Sequence, residues 1–321
     1  MTERATSYAS QLRQELAFHN RAWARGQAHV ESYGSDPVIV YAPENGRHGN
    51  FFDPAYAAIQ ANSQWERRLR KVHAQAKRAL PKSERRWCEL DSSTSSDALL
   101  MNVFCAPGVA DSSVVRNALG VDADAELEFG WKARVPLANG RFDRTEVDLK
   151  FDSLLIEAKL TESHFQTRAA NVVEAYRDLD EVFDRELLPR VELAPRRWRT
   201  QAEFPEEYTQ EGESLIAPEP FTRETEMRRF VKADAGGCGY KSYQLIRNVL
   251  AAYASGSSFC VVHDVRRPDL REEWFRIMTA VKSAEMRTRL MVMTWQELAA
   301  LLPHQLQEFL GQKYGIYANE M

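Results

Sequence analysis

Two stretches near the middle of the chain, Glu146 to Phe151 and Leu154 to Leu160, alternate apolar and polar residues with period two and are joined by Asp152-Ser153. Period two is the mark of strands, and a polar pair between two such runs predicts a two-residue hairpin. In that hairpin Phe151 faces Leu154, Leu149 faces Ile156 and Asp148 faces Glu157. Paired residues project from the same side, so Val147, Leu149, Phe151, Leu154, Ile156 and Ala158 share an apolar face, while Asp148, Glu157 and Lys159 gather on the other. A slip of one residue would turn both apolar sets the wrong way, which constrains the register.

The surrounding pattern predicts a helix over Ser95 to Phe104, a strand within ELEFGWKARV, and helices over Arg168 to Leu188 and Tyr240 to Ala254. A strand at Ser258 to Asp264, a helix near Leu270 to Ser283, a strand at Arg289 to Thr294 and a short helix in WQELAALL follow. Alternating strands and helices after an initial hairpin describe an α/β chain with a mixed central sheet flanked by helices on both faces. Residues 1–90 read as an N-terminal helical, partly basic region and 91–321 as the core. The segment 189–235, rich in proline and acid and too long for an ordinary connection, reads as an insertion.

Two carboxylates opposed across a strand pair repel each other, and one lysine two residues along offsets only part of that charge. A metal ion would resolve the conflict. Oxygen ligands in small number favour Mg²⁺ or Mn²⁺, which complete their shells with water and phosphate oxygens, a combination suited to phosphodiester hydrolysis. The alternative is a solvated hairpin face carrying a surface ion pair.

Asp148 followed by Glu157-Ala158-Lys159 resembles the PD-(D/E)xK nuclease superfamily, the restriction-endonuclease-like fold. YKSYQLIRNVLAAYA is similar to the helix that follows the core in bacterial members, SSDALLMNVF to the helix that precedes the first strand, and the LTE after the lysine fits as well. Val147 stands where the pattern has proline, and Asp97 where an uncharged amide is expected. The resemblance implies that Asp148, Glu157 and the Ala158 carbonyl bind the metal and that Lys159 orients or deprotonates the attacking water. It also implies that Gln244 approaches the water or the lysine. Many members recruit one more upstream acid, for which Glu128 is preferred over Glu89, Asp97 and Glu126. Lys241 and Arg247 share a helical stripe with Gln244 and Asn248 and are candidates for phosphate contact. The expected activity is that of a Mg²⁺-dependent deoxyribonuclease of restriction, defence or repair type. A domain that binds nucleic acid or protein without cutting, and a hydrolase of RNA or smaller phosphoesters, are the other readings. One site per chain and two strands to cut favour a homodimer or sequential nicks.

AGGCGYKS is not a phosphate loop, because Tyr240 stands where that motif needs glycine; its glycines read as a mobile entry to the helix. Cys88, Cys105, Cys238 and Cys260 lie far apart without a C-x-x-C, which reads as buried thiols rather than a cluster or zinc site. His263, at the end of an apolar strand, reads as structural.

The 321 residues are 44% hydrophobic and carry a net charge of −4, ample for a large core and contrary to a protein that coats DNA. A local basic surface is available in Trp65 to Trp87, with nine Lys or Arg against two Glu on a helix that ends near Pro81; phosphate contact and plain solvation are equally open there. No secretion signal or membrane span is expected, which points to the cytoplasm, with DNA as partner.

Overall fold

The hairpin forms in the expected register. In the structure, a computed structural model that describes residues 7–32, 38–71, 88–193 and 237–318, Leu149 pairs with Ile156 and Phe151 with Leu154. Asp152 makes the turn with φ 51°, a left-handed conformation that aspartate tolerates better than most residues. The two strands belong to a five-stranded sheet: β1 (Leu127–Pro136), β2 (Phe142–Phe151), β3 (Leu154–Ala158), β4 (Ser258–His263) and β5 (Leu290–Thr294), in the order β5-β4-β3-β2-β1. β1 and β2 are antiparallel to their neighbours, whereas β3, β4 and β5 are parallel. The sheet is therefore mixed, as the pattern predicts.

Both faces are covered. Leu154, Ile156 and Ala158 enter one apolar cluster with α1 (Tyr8–Trp23), α2 (Ser96–Phe104) and α5 (His304–Tyr314). Leu155, Phe259 and Val261 enter a second with α3 (Tyr243–Ser255) and α4 (Pro268–Ala280). Every residue of β3 is consequently buried, each large apolar side chain contributing about 1.5–3 kcal/mol. Leu12, Leu16 and Phe51 lie in the same cluster as Leu99 and Leu306, so the stretches 1–90 and 91–321 share one core.

Several expectations are corrected. Val147 joins the second cluster, not the one that holds Leu149. The strand pairing skips Gly130, opposite Asp148, where the glycine adopts φ 65° and breaks the regular pleat. The helix expected over Arg168 to Leu188 is two short ones, Ala170–Val173 and Leu179–Val182. Between them Tyr176 bridges Leu137 and the Arg177 amide donates to the Pro136 carbonyl, so the backbone there serves the end of β1. The glycines before α3 form a strand, Gly237–Tyr240, between Arg168–Ala169 and Arg190–Leu193. A Cβ at Gly239 would meet the Arg168 carbonyl at 2.7 Å, so this glycine permits close strand approach instead of mobility. Cys105 and Cys260 are buried, but Cys238 is exposed; none of the four cysteines forms a disulfide. Most of the 189–235 segment and residues 72–87 of the basic stretch lie outside the described residues.

Where α1 meets α5, Lys313 is 0% exposed; its Nζ donates to Asn20 Oδ1 at 2.9 Å and sits over the Tyr41 and Tyr314 rings. Burial pushes its ammonium well below the usual lysine range. A base with a depressed folded pKa favours folding least at low pH, since the unfolded chain takes up a proton that the native state refuses. Lys313→Met is therefore expected to stabilise the protein at pH 7 by roughly 1–3 kcal/mol, an advantage that shrinks as the pH rises towards about 10. Asn20 Oδ1 keeps the Tyr41 hydroxyl at 2.9 Å and is not stranded. Urea denaturation at pH 7 and 9.5 measures this; a less stable methionine variant would mean that the ring and amide contacts outweigh the burial cost.

Candidate active site

The charged face of the hairpin lies beneath α3. Glu157 is 3% exposed and Lys159 5%, and their side chains pair at 2.8 Å. The second Glu157 oxygen accepts from Asn248 Nδ2 of α3 at 2.7 Å. Asp148, on the neighbouring strand, accepts from the Ala158 amide at 2.8 Å, which ties the two strands together at this point. Burial, then the charges of Glu157 and Asp97, push the Asp148 carboxyl well above the usual aspartate range, against the opposing pull of Lys159 and the Ala158 amide.

The chain beyond Lys159 is pinned from several sides. Trp295 Nε1 donates to the Lys159 carbonyl at 3.0 Å, and Arg267 Nη1 to that of Leu160 at 3.1 Å. Glu162 accepts from the Leu160 amide and from Ser96 Oγ, joining this segment to the start of α2. The Lys159 ammonium lies 5.6 Å from the Phe165 ring centre, and the Phe165 carbonyl accepts from the Gln244 amide in the first turn of α3. The Lys159 side chain and the Gln244 backbone thus both meet Phe165.

The other sequence candidates fall in different places. Gln244 is 4% exposed. Arg247 is 2% exposed, with its guanidinium over the Tyr243 ring, so it sits inside the protein and not on an open surface. Lys241 is exposed and precedes the helix, outside the stripe it was assigned to. Glu128 pairs with Lys150 at 3.0 Å and is half exposed, while Asp97 is the upstream acid whose charge reaches Asp148. His263 is buried, its Nδ1 donating to the Asp264 carbonyl, and burial pushes its pKa down.

A second layer of charge lies beside the first. Arg68 bridges Asp97 at 2.5 Å and Glu146 at 2.6 Å; Lys71 bridges Glu89 at 2.9 Å and Glu146 at 3.1 Å. Burial works to raise the Glu146 carboxyl, but the two cations more than offset this and hold it below the usual range. Glu89 is raised by burial and by Asp97. Gly130 forms the floor under Arg68: a Cβ there would lie 2.0 Å from Nη1. Within the basic stretch, then, Arg68 turns inward to acids and the exposed Lys71 reaches Glu89 and Glu146, while Arg67 and Arg70 also stay exposed, Arg70 paired with Glu66; these residues follow a short helix, Ser63–Glu66, on a tight turn, Arg67–Arg70.

Sequence reasoning placed Asn248 on the polar stripe without giving it a role, and it did not single out Arg68, Lys71 or Glu146. Asn248 stands four residues after Gln244, a spacing that shares a helix stripe, whereas the break in the pleat opposite Asp148 hides the place of Glu146 from a period-two reading. Nothing local marks Arg68. Among the described residues no three His, Cys, Asp or Glu side chains form a metal-holding group by themselves, and no helix is long and apolar enough to cross a membrane.

No curated protein and no solved structure matches the chain. A family model described as restriction endonuclease associating with ARP matches residues 17–315. With a mixed sheet flanked by helices and two acids beside a lysine on adjacent strands, the chain belongs to this restriction endonuclease family.

Proposed function

We propose that the protein is a metal-dependent endonuclease of the PD-(D/E)xK kind, hydrolysing DNA phosphodiester bonds in restriction, defence or repair. The observation that carries this reading is geometric: Asp148, held at 2.8 Å by the Ala158 amide, lies on the strand beside Glu157, which pairs with Lys159 at 2.8 Å. Two hard carboxylates with a carbonyl at Ala158 suit Mg²⁺ or Mn²⁺, whose remaining positions substrate oxygens and water can fill. Bound by these residues, the ion would supply Lewis acidity towards the phosphate and lower the pKa of the attacking water.

The chain's own groups have distinct tasks in this reading. Asp148 and Glu157 supply the negative charge that holds the ion. Lys159, kept beside Glu157 by its 2.8 Å bond, orients the water and offsets charge developing on the phosphate. Gln244 supports Lys159 from the first turn of α3. Exposed Lys241, with Arg67 and Arg70, offers positive charge to a nucleic-acid backbone. Two copies of the chain would cut two strands.

The family also suits a second reading, a restriction-endonuclease-like module that binds without cutting. One observation favours it: Glu157 and Lys159 are almost wholly enclosed and paired with each other.

Cleavage of supercoiled, linear and single-stranded DNA and of RNA, in Mg²⁺, Mn²⁺ and EDTA, separates the two. Metal-dependent DNA cutting that falls at least about a hundredfold in Lys159→Ala, with Mn²⁺ affinity kept, is the expected result. DNA binding without cutting in any metal would favour the module, and RNA cutting alone would change the substrate class.

A further inference from the structure

Asn248 is fully buried, and only half of its amide is accounted for. The Nδ2 donates to Glu157 at 2.7 Å, which fixes how the amide faces, because an ionised carboxylate only accepts. The Oδ1 is buried with no hydrogen-bond partner among the described residues. Buried amide oxygens are rarely left in that state; an ordered water commonly completes them. The neighbouring groups are the ones that the endonuclease reading assigns to the attacking water. Glu157 uses one oxygen for Asn248 and the other for Lys159, which sets the Asn248 amide next to this ion pair. Gln244, one turn earlier on α3, is on the same stripe.

We propose that Asn248 is a water-positioning residue of this site: its Nδ2 clamps Glu157, and its Oδ1 accepts a hydrogen from the attacking water and turns a lone pair towards the phosphate. The role rests on the endonuclease reading. An asparagine can face an acid and a water at once, donating to one and accepting from the other, whereas a leucine of similar size can do neither.

The test combines a high-resolution crystal structure of the full chain with kinetics of Asn248→Leu and Asn248→Asp. An ordered water within hydrogen-bond distance of Oδ1 is expected in the unsubstituted protein and is absent in Asn248→Leu. That variant should bind Mn²⁺ within about threefold of normal while kcat falls about a hundredfold and KM changes little. Asn248→Asp keeps an acceptor in place and should recover part of the rate, with a shifted pH profile. A dry Oδ1, or turnover of Asn248→Leu restored by saturating Mn²⁺, overturns the inference, the latter reducing Asn248 to a clamp on Glu157. If the unsubstituted protein cuts and Asn248→Leu cuts equally well, the inference alone fails. If the unsubstituted protein carries the water and cuts nothing, the endonuclease reading fails and takes the water's role with it.

Discussion

Asp148→Asn is expected to reduce cleavage about a thousandfold or more and, at the same time, to make the metal-free protein more stable. The two effects have one cause. Burial and the neighbouring Glu157 and Asp97 raise the Asp148 carboxyl, so its ionised form is held against a penalty at neutral pH. A carboxyl whose folded pKa exceeds its unfolded value contributes most stability below about pH 4 and loses it as the pH rises through the folded pKa. Asparagine removes the charge and keeps an oxygen that can accept from the Ala158 amide. In EDTA at pH 8 the variant should gain roughly 1–2 kcal/mol over the parent, and the gain should fall away on acidification. Added Mg²⁺ should raise the parent's melting temperature and leave the variant's unchanged, since only a state that binds the ion is stabilised by it. Denaturation with and without EDTA at two pH values measures all of this. Equal stability at both pH values would remove the claim that burial and the neighbouring acids disfavour the ionised Asp148 carboxyl.

Arg68→Met should be the most destabilising change near the site, lowering stability by about 2–4 kcal/mol. It strips one partner from Asp97, whose side chain is 11% exposed, and one from Glu146, which keeps Lys71. Arg68→Lys should recover little, because a single ammonium cannot span both carboxylates as the planar guanidinium does over Gly130. The defect should be pH-dependent. Glu146 has a depressed folded pKa, so the stability it confers is present above the ordinary glutamate pKa and is lost as the pH falls through the folded value. The gap between parent and Arg68→Met should therefore narrow in acid. Full rescue by lysine, measured by urea denaturation, would show that a generic positive charge suffices.

The hairpin was legible in the sequence because its side chains carry redundant information. Leu149, Phe151, Leu154 and Ile156 all reach the core in only one register, and the same register brings Asp148 next to Ala158 and Glu157. What lies over that face was legible only in part. The resemblance points Gln244 towards the water or the lysine, and the stripe offers Arg247 to a phosphate, but polar residues at helical spacing do not say how deeply they sit; α3 buries Gln244, Arg247 and Asn248, and Asn248 meets Glu157. Arg68 could not be singled out among nine basic residues, because its partners Asp97 and Glu146 are 29 and 78 positions away. The helix expected over Arg168 to Leu188 failed for a related reason: backbone groups of Ala175 and Arg177 pair with Ala138 and Pro136, a non-local competition that periodicity does not record.

The enclosure of Glu157 and Lys159 beneath α3 also divides how the molecule responds to ionic strength. Arg67, Arg70 and Lys241 stand in the solvent, where at 0.1 M salt a charge is felt over about 10 Å. Mobile ions can crowd around them and weaken any hold on a phosphate backbone. Glu157 and Lys159 are almost wholly enclosed, where bulk salt screens far less, so the attraction between them is nearly the same in dilute buffer as in concentrated salt. Attachment to a polyanion and the arrangement of charge at the buried acids are in this way insulated from each other.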